Sequence, residues 1–274
     1  MKVLGVVGPS DSGKTALVER LVERLPGSVA TVKHLDHEPT LDTEGKDTAR
    51  HRSAGAEASY GIVDDGTWFA TGDDRTLDET LDDLAPVYDY AMLEGFSGAD
   101  VPQVVLGGID AEGQPIVEAD REAEVDLDDV IEALRDVEPY ETLESLVARA
   151  KRSADAEKAG AIATFTGRVR ARDHDDDEPT EYLEFEKYDG VAEQRMDRIN
   201  EELEARDGVY EVLLHHRTGV IEYGRDIVFV VVLAGHRTEA FETVEDGINR
   251  LKDEVPLFKK EVTVDEEFWV HTRS

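Results

Sequence analysis

The 274-residue sequence predicts two domains in series: an α/β domain with a mostly parallel sheet, carrying a phosphate-binding loop, followed by an α+β domain. Three observations predict this. Gly8-Pro-Ser-Asp-Ser-Gly-Lys-Thr15 lies between an apolar run and an amphipathic helix, the setting a P-loop requires. Strand-like and helix-like segments alternate through the first half, which implies a parallel sheet covered on both faces. The second half has a different texture, and Pro139 marks the change because the residue before a proline is pushed out of helical geometry. The expected domains are residues 1–137 and 138–274.

In chain order, residues 2–7 read as a strand and residues 14–24 as a helix, with Leu17, Val18, Leu21, Val22 and Leu25 at helical spacing. Residues 29–32 read as a strand, 47–58 as a helix, and 59–63 and 67–70 as short strands around an Asp-Gly turn. A helix over 77–84, a buried strand over 87–93 and another strand over 103–106 follow. Residues 112–129 are acidic and weakly patterned, and 126–137 reads as a closing helix. The second half reads as helix 142–151, strands 161–169 and 181–187, helix 191–205, strands 209–216 and 226–234, helix 240–254 and strand 258–264. The run at 174–179 reads as a solvated hairpin loop and is assigned no function.

The sequence contains no Cys, which excludes disulfides, thiolate metal sites and a thiol nucleophile. Any sulfur chemistry must use sulfur brought by a partner. No stretch approaches the roughly 20 apolar residues of a membrane span, and the N-terminus runs straight into a strand, so a soluble, cytoplasmic protein without membrane contact is expected. The net charge of −34 divides as −19 over residues 1–135 and −15 over the remainder. A surface so acidic repels the nucleic-acid backbone. With 20 Arg against 10 Lys, the composition reads as halophilic, suited to molar salt where the Debye length is about 3 Å. Against that background, clustered basic residues are expected to face an anion.

In the P-loop, Gly8 and Gly13 let the backbone curl, and the N–H groups around Ser10, Asp11 and Ser12 aim at phosphate oxygens, helped by the following helix dipole. Lys14 is expected to reach the phosphates and the Thr15 hydroxyl to bind Mg²⁺. Glu94, which follows the apolar run of the expected strand 87–93, is the expected carboxylate near the metal. Asp89, at the far edge, is read as structural.

Three basic clusters stand out in the second half. Arg168, Arg170 and Arg172 alternate along an expected strand and so point to one side. His236-Arg237 follows the most apolar strand and precedes a helix. Arg250, Lys252, Lys259 and Lys260 flank Pro256. Lysines near apolar residues such as Leu257, Phe258 and Trp269 can lose charge by desolvation and act as acid, base or nucleophile. Each cluster lies at an element end, which predicts one convergent pocket.

Val32-Lys33-His34, Asp36-His37, Gly45-Lys46-Asp47-Thr48 and Leu93-Glu94-Gly95-Phe96, following the P-loop in this order, resemble the molybdopterin-guanine dinucleotide biosynthesis adapter family, MobB, over about residues 1–110. The resemblance implies GTP binding with Mg²⁺ and weak hydrolysis in cofactor maturation, possible contact with the pathway's guanylyltransferase, and a site lined by Lys33, His34, His37, Lys46 and Asp47.

Ala163-Thr-Phe-Thr-Gly-Arg-Val-Arg170, residues 183–196, Leu213-Leu-His-His-Arg-Thr-Gly219, residues 226–242 and residues 251–261 resemble the catalytic large subunit of molybdopterin synthase, MoaE, over about residues 138–271. That resemblance implies a ubiquitin-like, MoaD-type small subunit bearing sulfur as a C-terminal thiocarboxylate, and cyclic pyranopterin monophosphate as acceptor. It also implies a homodimer through the C-terminal domain and no tightly bound metal there. By motif position Lys252 and Lys259 correspond to the catalytic lysines, while Arg168, Arg170, His236, Arg237 and Lys260 bind substrate anion. Leu257-Phe258-Lys259 departs from the commoner Phe-Trp-Lys, and the short segment after Trp269 leaves open any site formed by C-terminal residues across a dimer. Two other readings fit the residues: a stand-alone P-loop kinase or NTPase whose second half binds substrate or carrier, and a nucleotide-switched protein that only binds a ubiquitin-like modifier.

Overall fold

A computed structural model describes residues 1–36, 47–172, 174, 177–188, 190–263 and 267–270, the last four as backbone only. The chain divides into two compact units, Met1–Tyr140 and Glu141–Ser274.

In the first unit, β1 (Lys2–Val7), β2 (Val29–Lys33), β5 (Tyr90–Glu94), β6 (Gln103–Leu106) and β7 (Pro115–Ala119) form one sheet in the order β2-β5-β1-β6-β7. Every pairing in it is parallel. Alternation along β1 sends Leu4 and Val6 to the face covered by α1 (Lys14–Arg24) and α4 (Leu127–Asp136), where Leu17, Leu21, Val130 and Leu134 are buried. Val3 faces the other way, onto Leu81 and Ala85 at α3 (Leu77–Leu84). Both faces are therefore closed. The site lies where a doubly wound sheet places it, at the carboxyl ends of the central strands β1 and β5.

Two details depart from the expected elements. The helix expected over 47–58 is the shorter α2 (Asp47–Ser53), which buries no residue; Gly55 with φ 105° ends it, and β3 (Ala58–Ile62) pairs antiparallel with β4 (Trp68–Gly72). β7 was not expected, because Pro115 opens it and only Ile116 and Val117 mark it as apolar. The closing helix, by contrast, starts as the sequence suggests, with the Asp126 side chain accepting from the Asp128 N–H.

The second unit is built on a three-stranded antiparallel sheet, β10 (Val209–His216), β12 (Asp226–Ala234) and β8 (Ala161–Arg168), in the order β10-β12-β8. Along β12, Val228, Val230 and Val232 face α6 (Val191–Glu204) and α7 (Arg237–Glu254), while Phe229, Val231 and Leu233 face α5 (Leu143–Lys151). Thr142 and Ser145 form a reciprocal cap at the start of α5. A second sheet has the order β11-β9-β13-β14, from Gly219–Glu222, Thr180–Lys187, Leu257–Thr263 and Glu267–Val270. Neither β11 nor β14 was expected from the sequence.

Candidate functional site

The loop after β1 is shaped by two close backbone approaches. A Cβ at Gly8 would lie 2.8 Å from the Leu106 side chain, and one at Gly13, where φ is 90°, would lie 2.2 Å from the Glu122 carboxylate. Only glycine fits either place. The loop borders a cavity of about 600 Å³ lined by Gly8, Ser10, Asp11, Gly13, Lys14, Thr15, Lys33, His34, Asp36 and Glu94. Every residue expected of the P-loop itself, and Glu94, lines it except Ser12, whose Oγ is buried without a hydrogen-bond partner among the described residues.

The polar groups of this cavity are organised around Glu94. Parallel pairing sets Lys33 opposite Glu94 in register, and Val6 opposite Glu94 on the other side. The Thr15 hydroxyl donates to Glu94 Oε1 at 2.7 Å, and Lys33 Nζ lies 2.7 Å from the same oxygen. Burial pushes the Glu94 carboxyl up, but the hydrogen bonds from Lys33 and Thr15, with the charges of Lys33 and Lys14, outweigh it and hold the group below the usual carboxylate range. Lys14 donates to the carbonyls of Gly8 and Pro9, at 2.8 and 2.6 Å. A hydroxyl and a carboxylate converging beside an amide-lined loop, with an orphaned serine hydroxyl, fit a phosphate and its divalent cation. His34 packs edge-on against Phe96 at 5.4 Å, and Asp89 accepts from the Ser28 N–H and hydroxyl. Asp47 opens α2 beside Arg50 and does not line the cavity; His37 and Lys46 lie outside the described residues.

In the second unit the basic residues fall at two ends of the three-stranded sheet. Asp226 pairs with Arg168 and Ala234 with Ala161, so the two ends are separated by about 23 Å of strand. His236 caps α7 and Arg237 starts it, beyond the Ala234 end. α7 returns along the sheet, with Glu239 beside Gly208 and Gly247 against Val230, and carries Lys252 toward the Arg168 end. The single convergent pocket expected from the sequence is therefore not formed within one chain: His236 and Arg237 stand apart from Arg168, Lys252 and Lys259. A helix that runs the length of the sheet separates residues 15 positions apart.

β8 ends at Arg168, so Arg170 and Arg172 follow the strand rather than extend it, although all three are exposed and Val169 between them is buried. Arg168 donates to the Gly224 carbonyl and lies 3.4 Å from Asp226. Val169 packs with Phe185, whose partner in register is Lys259. Lys252 is exposed in the last turn of α7, where a cation suits the helix dipole. Lys259 is half-buried, 3.2 Å from Glu261, while the adjacent Lys260 faces the opposite side of the sheet, 3.5 Å from Glu184. Lys259 and Lys260 therefore cannot serve one pocket from the same face.

The models of two families match: "Molybdopterin guanine dinucleotide synthesis protein B" over residues 3–133, and "MoaE protein" over residues 138–254. A protein of Haloferax volcanii named "Probable molybdopterin synthase" is 58% identical over 273 residues, covering 100% of both chains. The chain belongs to the molybdopterin synthase family. Its MoaE half is also 40% identical over 111 residues to the "Molybdopterin synthase catalytic subunit" of Pyrococcus abyssi, covering 40% of this chain and 74% of that one. The crystal structure of molybdopterin synthase from Staphylococcus aureus, 31% identical, covers 49% of this chain and 93% of that chain with a TM-score of 0.43.

Within this molybdopterin synthase family member, sequence reasoning missed Glu261 and the His215-His216 pair, of which His216 is buried. Glu261 holds Lys259 and accepts from Thr180, and the i, i+2 spacing of Lys259 and Glu261 on an expected strand was the available signal. The two histidines lie inside a quoted motif, but their burial depends on Phe185 and Phe229 from other strands. No helix among the described residues is long and apolar enough to cross a membrane.

Proposed function

We propose that this chain is a fused molybdenum-cofactor enzyme whose second domain, taken as residues 138–274, transfers sulfur to cyclic pyranopterin monophosphate to give molybdopterin. The full-length likeness to a molybdopterin synthase carries this reading. The absence of Cys agrees with sulfur delivered by a ubiquitin-like carrier: its C-terminal thiocarboxylate sulfur bonds to the acceptor, and water then cleaves the acyl C–S bond, releasing the carrier as a carboxylate and leaving the sulfur behind. Lys252 and Lys259 stabilise the negative charge that develops on the acyl group, and Arg168 and Arg170 hold substrate anion. His236 and Arg237 lie at the other end of the sheet, so in this reading they reach the lysines from a second copy, in a homodimer through this domain. Lys260 acts at most from the far face.

The first domain, residues 1–137, binds GTP with Mg²⁺: Lys14 takes the phosphates, and Thr15 and Glu94 take the cation. Handing guanine nucleotide to the pathway's guanylyltransferase is the corresponding role. The kinase reading is disfavoured, because the second unit has its own buried core and its relatives are named synthases.

Single-turnover sulfur transfer from a thiocarboxylated carrier tests the site. K252A and K259A are each expected to lose roughly 10²-fold or more in rate, as for removal of a group that stabilises developing charge. Wild-type rates in both variants would remove these lysines from the mechanism.

A further inference from the structure

We infer that Lys33 is a built-in counter-ion that fills the divalent cation's place between Thr15 and Glu94, and passes to the phosphates only when nucleotide and metal enter together. This rests on the reading of the P-loop site given above. Three polar atoms close a triangle: Thr15 Oγ1 to Glu94 Oε1 at 2.7 Å, Lys33 Nζ to Glu94 Oε1 at 2.7 Å, and Lys33 Nζ to Thr15 Oγ1 at 3.3 Å. The two oxygens that contact this ammonium are the two that would hold Mg²⁺. An ion that demands oxygen ligands at about 2.0–2.1 Å cannot take them while the ammonium remains.

The backbone fixes this arrangement. Lys33 is the last residue of β2, in register with Glu94 at the end of the neighbouring β5, and the His34 N–H donates to the Glu94 carbonyl at 2.9 Å. Lys14 does not compete for the carboxylate, since its ammonium is held by the loop carbonyls of Gly8 and Pro9. The cavity's two lysines thus have separate tasks, one on the loop and one on the metal carboxylate. Lys33 is half exposed but Glu94 is only 10% exposed, so salt screens the pair less than one wholly at the surface.

The consequence is coupling. A divalent cation arriving alone must separate the Lys33 ammonium from Glu94 without supplying another anion for it. A nucleoside triphosphate brings that anion, so Lys33 can leave Glu94 for phosphate as the metal takes its place. Free metal and metal-free nucleotide are each disfavoured, and the metal–triphosphate complex is selected.

The test uses the full chain, with Mn²⁺ followed by electron paramagnetic resonance without nucleotide, E94Q serving as the background for binding elsewhere on the acidic surface. The site-specific Mn²⁺ affinity of K33M is expected to exceed wild type by roughly tenfold or more, with K33R remaining like wild type. Fluorescent N-methylanthraniloyl-GTP with Mn²⁺ should bind K33M roughly tenfold more weakly, with its preference over the corresponding GDP lost. Equal Mn²⁺ affinity in wild type and K33M, or unchanged GTP-probe affinity in K33M, overturns the inference. The P-loop reading fails separately, if wild type binds the GTP probe no better than K14A.

Discussion

At the scale of the residue, the most exposed consequence of burial concerns His216. Its Nδ1–H donates to the Arg217 carbonyl at 2.7 Å, its ring packs on Phe185, and burial, opposed by that hydrogen bond, pushes its pKa down to about 4. His215 is pushed to about 3 by burial and then by the charges of Arg217, His216, Lys187 and Arg149. An unfolded imidazole takes its proton near 6.5, so between that pH and about 4 the unfolded chain binds more protons and stability falls as pH drops. For His216 the gap is worth about 3 kcal/mol, most of it lost by pH 4. Urea unfolding from pH 7.5 to 4 should therefore show a shallower loss in H216Q than in wild type; parallel curves would show that His216 titrates normally in the fold. Lys14, Thr15 and Glu94 were legible in the sequence because the motif and the end of an apolar run place them. The contact Lys33–Glu94 was not, because strand register and side-chain direction decide it.

At the scale of the element, α7 is the part on which the second unit's geometry depends, since its length sets Lys252 apart from His236. It lies close to the sheet at Gly247, where an added Cβ would be 3.1 Å from the Val230 side chain and 3.6 Å from Leu203. G247V is expected to cost about 1–3 kcal/mol by overpacking, seen as a lower urea midpoint with an unchanged slope. A midpoint equal to wild type would mean that α7 is not seated there. α1 was legible residue for residue, because Gly13 precedes it and Leu17, Val18 and Leu21 repeat at helical spacing. α2 was overestimated because none of its residues is buried, so no apolar spacing marks its end. β11 was missed because Ile221 alone of its four residues is buried. The expected alternation of Arg168, Arg170 and Arg172 was right about exposure and wrong about the strand, whose ladder stops where β12 begins at Asp226.

At the scale of the whole molecule, a net charge of −34 makes self-repulsion a term that salt removes. The thermal midpoint is expected to rise between about 0.1 M and 2 M KCl, most steeply at the low end where the Debye length falls from about 10 Å. A flat or falling midpoint over that range would contradict the reading of the charge as salt adaptation. The two-domain order was legible from the texture of the two halves, and the family from motifs whose order matches it. The separation of the basic clusters was not legible, because it follows from how α7 folds back on its sheet. The most direct measurement incubates the purified chain, in molar KCl, with a thiocarboxylated ubiquitin-like carrier and cyclic pyranopterin monophosphate, and assays molybdopterin. The expected result is molybdopterin formed with two carriers consumed per molecule, and lost in K252A and K259A. No molybdopterin from wild type, where another synthase under the same conditions makes it, would contradict the central claim.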